Sequence, residues 1–172
     1  VLDGTVDLAL VGQNTRDESC VFIPFCHDEL VIATPVTDHY LALKDRETPT
    51  IFHDFLKDSI ILREKGSGSR KILERNLAAR NLKISDFIHY AEVENIHTMV
   101  SLLVRDCGIA FLYEAAVEQE IRQGLLKEIR LEDFSMDHEF LFLWNKGSVF
   151  SSELKKLCEE WIQLDKDASG GR

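Results

Sequence analysis

Five adjacent residues, Gly66-Ser67-Gly68-Ser69-Arg70, carry the densest chemistry in this 172-residue chain. They follow an apolar run at 59–63 that predicts a strand. They open a helix over about 70–80, whose inner side is Ile72, Leu73, Leu77 and Ala79 and whose end is Asn81. Glycines let a backbone approach a ligand closely. Serine hydroxyls donate, and a helix amino end offers unpaired N–H groups and the positive end of the dipole. Arg70 and Lys71 fall in the first turn, where cations oppose that dipole by about 0.3–1 kcal/mol each. An anion or carboxylate nearby would offset that cost. The plainer reading of the loop is a helix cap with two solvated basic residues. The loop is neither a Walker A sequence nor a GxGxxG fingerprint, so it implies no nucleotide.

A second strand-to-helix corner lies at Glu94-Asn95-Ile96. Asn95 is a good N-cap. Ile96, Met99, Val100 and Leu103 recur at helical spacing. Gly108 stands where a left-handed helix stop is wanted, and 109–112 reads as a short buried strand. Glu94 can accept from helical N–H groups or meet a hydroxylated or cationic ligand. Thr34 ends the apolar run 29–34 and is a third polar group at a strand end. Each of these is ordinary alone; three at strand ends suggest one site.

Other chemistry is poorly supported. The six histidines show no metal spacing, and no Cys/His cluster has zinc spacing. The four cysteines form no CxxC motif, and the opening residues do not read as a secretory signal, so reduced thiols are expected. There is no GxSxG element, and the alternating Glu92 and Glu94 read as solvated charge. Neither an enzyme, a metal nor a cofactor is expected. Net charge is −10, a poor basis for neutralising phosphates, so this chain alone is not expected to bind DNA. No run of 18 apolar residues exists to span a membrane.

The elements that must position these residues follow from periodicity. The chain is 45% hydrophobic and 29% charged, an ordinary globular mixture. Strands are expected at 5–11, 20–25, 29–34, 59–63, 87–93, 125–131 and 139–146. Pro24 and Asp28 are read as breaking the second from the third. Residues 13–19 read as a polar loop, 35–43 as a connector, 51–56 as a helical turn with Asp54 and Asp58 as caps, and 132–138 as a turn. Helices are expected at 114–123 and 152–164, with Leu154, Leu157, Cys158, Trp161 and Ile162 on one face. The tail from 165 has no reason to fold. Alternating strands and helices imply an α/β domain of mostly parallel sheets flanked by helices. Ligands of such folds sit beyond the carboxyl ends of strands.

The order of blocks resembles the effector-binding domain of LysR-type transcriptional regulators. LDGTVDLALVG is similar to that family's L-x-x-G-x-L-D-L-A-I strand. FIPFCHDELVIATPVTDHYLA resembles L-x-x-D-x-L-V-L-V-x-P-x-x-H-P-L-A, with Tyr40 in place of Pro. IFHDFLKDSIILREKGSGSR and EVENIHTMVSLLVRDCGIAFLYE resemble the next two blocks, with Asp106 replacing a common Gly and Tyr113 a Pro. The resemblance covers nearly 1–165. It implies a two-lobed, periplasmic-binding-protein-like (type II) fold. The first lobe would be 1–39 with 144–172, and the second 40–143. A small effector would sit in the interlobe cleft, with contacts on Thr34, Gly66, Ser67, Gly68, Ser69, Arg70, Glu94, Asn95 and Ile96. The first strand and helix of the first lobe and the winged helix-turn-helix lack counterparts, so the chain reads as a fragment of a longer protein. It would reach DNA only through an N-terminal domain not in this chain.

The expected function is effector sensing by a cytoplasmic bacterial transcriptional regulator, a homodimer or tetramer whose effector is a small anionic molecule. The alternative is a solute-binding protein of a transporter, which shares the fold. An enzyme of similar fold would need a convergent acid/base or nucleophile set.

Overall fold

The computed structural model describes residues 1–12, 17–45, 49–132 and 137–169. In chain order the elements are β1 (Leu8–Val11), β2 (Cys20–Pro35), α1 (Asp38–Asp45), β3 (Ser59–Leu62), α2 (Gly68–Ala79), β4 (His89–Glu92), α3 (Ile96–Val104), β5 (Ala110–Tyr113), α4 (Glu118–Arg122), β6 (Leu126–Ile129), β7 (Asp137–Asn145) and α5 (Ser151–Ser169). The chain separates into two compact units, Val1–Asp28 with His138–Arg172, and Glu29–Asp137.

In the first unit β1 runs antiparallel to β7, Leu8 opposite Trp144, and β7 lies between β1 and β2. The core gathers Phe142, Trp144 and Cys158, with Leu154 and Ile162 of α5 packed against it. Cys158 is the fully buried point of the helix. Trp161 is partly exposed and touches Phe142, centroids 5.6 Å apart. The indole N–H of Trp144 donates to Ser151 Oγ at 2.9 Å.

In the second unit β3, β5 and the 30–35 half of β2 are buried on both faces, which is why they read as unbroken apolar runs, whereas β4 is exposed along its length. Alternation divides them. Leu30, Ile32, Ile60, Leu62, Ile109 and Phe111 face Ile72, Leu73 and Leu77 of α2. Val31, Ala33, Ile61, Ala110 and Leu112 face Met99, Val100 and Leu103 of α3. β3 and β4 pair in parallel, Leu62 opposite Glu92, and a parallel bridge joins Ile60 to Ile109 at the start of β5. β2 runs antiparallel to both β5 and β6.

Several expected boundaries move. β2 is one strand of 16 residues, passing through both Pro24 and Asp28. The expected connector after Pro35 contains helix α1. α5 runs on to Ser169, so the expected unfolded tail is helical up to that point. The helical turn is Phe52–Phe55, capped by Asp54, whose Oδ2 accepts from the Ile51 amide at 2.9 Å. Asp58 does something else: it accepts from the Tyr40 hydroxyl and lies 3.9 Å from His39 Nε2. Residues 13–16, 133–136 and 170–172, in the expected loop, turn and tail, lie outside the described residues.

Gly108 is not the stop of α3. Asp106 takes the left-handed position, φ 58°, and the Cys107 amide closes back on Leu102 O at 3.1 Å, the Schellman pattern. Gly108 is needed for another reason. A Cβ there would lie 2.4 Å from Ser59 O, the carbonyl that accepts from the Ile109 amide. α2 ends as expected, with Asn81 at φ 56° and the Leu82 amide bonded to Leu77 O.

Candidate functional site

The sheet direction decides which of the singled-out residues meet. β3 and β4 are parallel neighbours, so their carboxyl ends lie side by side, joined by the Val93 amide donating to Leu62 O at 2.8 Å. The loop after β3 holds Gly66–Arg70, and the turn after β4 holds Glu94, Asn95 and Ile96. Both open a helix at the same edge.

The two helix starts are built alike. Ser67 is the N-cap of α2, extended, its Oγ accepting from the Arg70 amide at 3.3 Å. Asn95 is the N-cap of α3, its Oδ1 accepting from the Thr98 amide at 2.9 Å. In each helix the cap satisfies the third amide and leaves the first two, Gly68 and Ser69 or Ile96 and His97, without an intrahelical acceptor. Gly66 holds φ 103°. Ser69 is buried, and no hydrogen bond to its hydroxyl is seen among the described residues. Glu94 and Asn95 are exposed and Ile96 half-buried.

Gly68 is informative because nothing in the fold requires it. A Cβ there would meet no atom within 4 Å, and its backbone is not in the left-handed region. Helix propensity favours alanine at such a position. The structural reasons for glycine are therefore absent, while close approach of a ligand remains as one.

Arg70 turns inward, with a side chain only 5% exposed. Its Nε donates to Glu74 Oε1 at 2.8 Å, and its Nη1 to Arg63 O at 2.8 Å and Glu92 Oε2 at 2.5 Å. Burial pulls the guanidinium pKa down, but the bonds to Glu74 and Glu92 outweigh it and the net direction is up. Arg70 thus joins the two corners rather than presenting a free charge. Beside it Arg63 forks onto Glu64 at 2.8 and 2.9 Å, and that bond holds the Glu64 carboxyl below its usual range. The i,i+4 spacing of Arg70 and Glu74 was readable in sequence. The role of Glu92, read as solvated charge, was not, because parallel pairing alone brings it to Arg70.

Thr34 stands apart from this site. β2 is antiparallel to β5, so Leu30 pairs with Tyr113 at the carboxyl end of β5 while Ala33 pairs with Ala110 at its start. Thr34 therefore lies level with the amino ends of β3 and β5, away from the helix starts. It is fully buried and donates to Lys127 O at 3.3 Å. Its expected contact assumed a strand parallel to its neighbours.

Among the described residues no group of three or more His, Cys, Asp or Glu could hold a metal ion, and no helix is long and apolar enough to cross a membrane.

Comparison with known proteins gives the family. The family model described as the LysR substrate binding domain matches residues 1–163. The chain belongs to that family. This LysR substrate-binding domain is 23% identical over 167 residues to a probable RuBisCO transcriptional regulator of Cyanophora paradoxa, covering 95% of the chain and 50% of the relative. It is also 26% identical over 160 residues to a phosphonates import ATP-binding protein PhnC of Anaeromyxobacter dehalogenans, covering 92% of the chain and 31% of that relative. Among solved structures it resembles the CcmR regulatory domain of Synechocystis PCC6803, in complex with 2-PG, with a TM-score of 0.77 at 17% identity over 95% of this chain and 75% of the other. The type II periplasmic-binding-protein-like fold is thereby shown, and the domain spans half or less of the length of these two relatives.

Proposed function

We propose that this LysR substrate-binding domain is the effector sensor of a bacterial transcriptional regulator, and that it binds a small anion at the amino ends of α2 and α3. The observation that carries this reading is the convergence of two capped helix starts at one sheet edge, each leaving two amides unspent. Gly68, which the fold does not need, supports close backbone approach there. Gly66, Ser67, Ser69 and Glu94–Ile96 would line the site. Arg70 would take part through its backbone amide and by fixing Glu92, since its guanidinium is already committed.

The charged groups around the site nearly cancel, with Arg63, Arg70, Lys65 and Lys71 facing Glu64, Glu74, Glu92 and Glu94. The preference for an anion therefore rests on the helix amides rather than on net charge. No catalytic step is proposed. The effector would act only through its differential affinity for two arrangements of the domain. A homodimer or tetramer would carry that change to a DNA-binding domain outside this chain, in the cytoplasm.

Thermal shift and calorimetric titration with 2-PG and with inorganic phosphate test the reading, on wild type and on Gly68→Ala. A probe that binds wild type and loses affinity at Gly68→Ala, with folding stability kept, supports it. Equal affinity for both proteins would show that the ligand makes no close backbone contact at the start of α2.

A further inference from the structure

A hollow of about 430 Å³ opens along α2, from Lys65 and Arg70 at its start to Leu82 and Ile84 beyond its end. Its floor is apolar: Leu77 is buried, and Leu82 and Ile84 are half-buried. Ala78, the exposed neighbour of Leu77, leaves the space open from the helix side, and the ring of Tyr90, 58% exposed on β4, forms a wall. Three cations, Lys65, Arg70 and Lys83, line it with a single carboxylate, Glu74. Arg70 is already paired with Glu74 and Glu92, so the positive charge of the lining comes from the two lysines, neither of which forms an ion pair with a described residue. A net positive lining on a chain of net charge −10 is a local reversal of sign. The volume lies in the range of small-molecule sites, which combine an apolar floor with a few polar groups.

We infer that this hollow is a second ligand site, for a small amphipathic anion: a flat apolar body on Leu77, Leu82 and Ile84 beside Tyr90, with its carboxylate between Lys65 and Lys83. The lysines select charge, the floor selects an apolar body, and the acidic remainder of the surface rejects the same ligand elsewhere. The inference does not depend on the effector reading, because none of the amides at the two helix starts lines the hollow. Lys65, Arg70 and Glu74 border both sites. The Arg70 side chain walls the hollow, and its backbone amide closes the cap of α2. A ligand that shifts the Arg70–Glu74 pair would bias the cap, so the hollow is placed to modulate the helix start.

The test uses 1-naphthoate and its neutral amide as probes, titrated into the chain with methyl-labelled Leu and Ile and followed by NMR. Naphthoate is expected to shift the Leu77, Leu82 and Ile84 methyls saturably, and the amide to bind more weakly. Lys83→Glu should weaken naphthoate about fivefold. Ala78→Trp, an exposed helical substitution, should fill the hollow and abolish the shifts. Shifts confined to other methyls, or binding unchanged in both variants, would overturn the site. So would sedimentation showing that wild type self-associates, excludes naphthoate and is made monomeric by Ala78→Trp, since a second copy would then occupy the hollow.

Discussion

Arg70 of α2 and Glu92 of β4 meet at 2.5 Å, Nη1 to Oε2, across the edge where β3 and β4 end. Twenty-two residues of sequence separate them. This contact, with the bond to Arg63 O, fixes the start of α2 against the neighbouring strand. Arg70 therefore stabilises the site's frame whether or not it touches an effector.

Arg70→Ala should accordingly destabilise the domain by about 2–3 kcal/mol, because it leaves a charged network without its centre and a carbonyl without its donor. That corresponds to a drop of roughly 5–10 °C in Tm for a chain of this size. Arg70→Lys should recover little, since an ammonium cannot reproduce the guanidinium fork. Denaturant unfolding of both variants checks this. Arg70→Ala retaining wild-type stability would mean the network contributes nothing.

Gly108 and Gly68 should behave oppositely. Gly108→Ala places a Cβ against Ser59 O at φ 142°, and a loss of at least about 2 kcal/mol is expected. Gly68→Ala meets no atom and should be neutral or stabilising by up to about 1 kcal/mol. Thermal melts of the pair separate a glycine the fold needs from one it does not.

Asp106→Gly should raise stability by about 0.5–1 kcal/mol. Asp106 holds a left-handed conformation at the end of α3, where glycine carries no Cβ penalty. A melting temperature below that of wild type would show that the Asp106 side chain contributes more than its backbone costs.

Asp58 sets a pH dependence. Burial raises its pKa, only partly countered by the Tyr40 hydroxyl and by His39, and one carboxylate oxygen is buried without a partner. A raised folded-state pKa means the stability contribution is full below the unfolded value, near pH 4, and is lost as pH rises through the folded value. Asp58→Asn keeps an acceptor for Tyr40 without the charge. It should be more stable than wild type at pH 7–8, with the difference closing below about pH 4. Unfolding curves at three pH values measure it. A difference that widens toward low pH would reverse the assignment.

Much of the site's local structure was readable because it is written in short-range chemistry. Ser67 and Asn95 are caps by residue type and position, and the helical spacing of Ile96, Met99, Val100 and Leu103 marks the face of α3 that packs on the sheet. Features set by pairing between distant segments were not readable. An apolar run such as 29–34 is the same whichever way its neighbours run, so Thr34 could be assigned to the wrong end of the sheet. Pro24 reads as a break because proline lacks an N–H, yet β2 passes through it. Glu92 looks solvated until β4 lies beside β3. Gly108 looks like a helix stop until the Ser59 carbonyl is seen above it, and Asp106 then proves to be the residue that takes the turn.

The first amides of α2 and α3 are proposed to hold an anion. Amide NMR during titration with 2-PG, with inorganic phosphate as a second probe, tests it most directly. Saturable shifts are expected at Gly68, Ser69, Ile96 and His97, weakened by Gly68→Ala. Saturable binding that leaves those four amides unmoved, or no saturable binding of either anion, would contradict it.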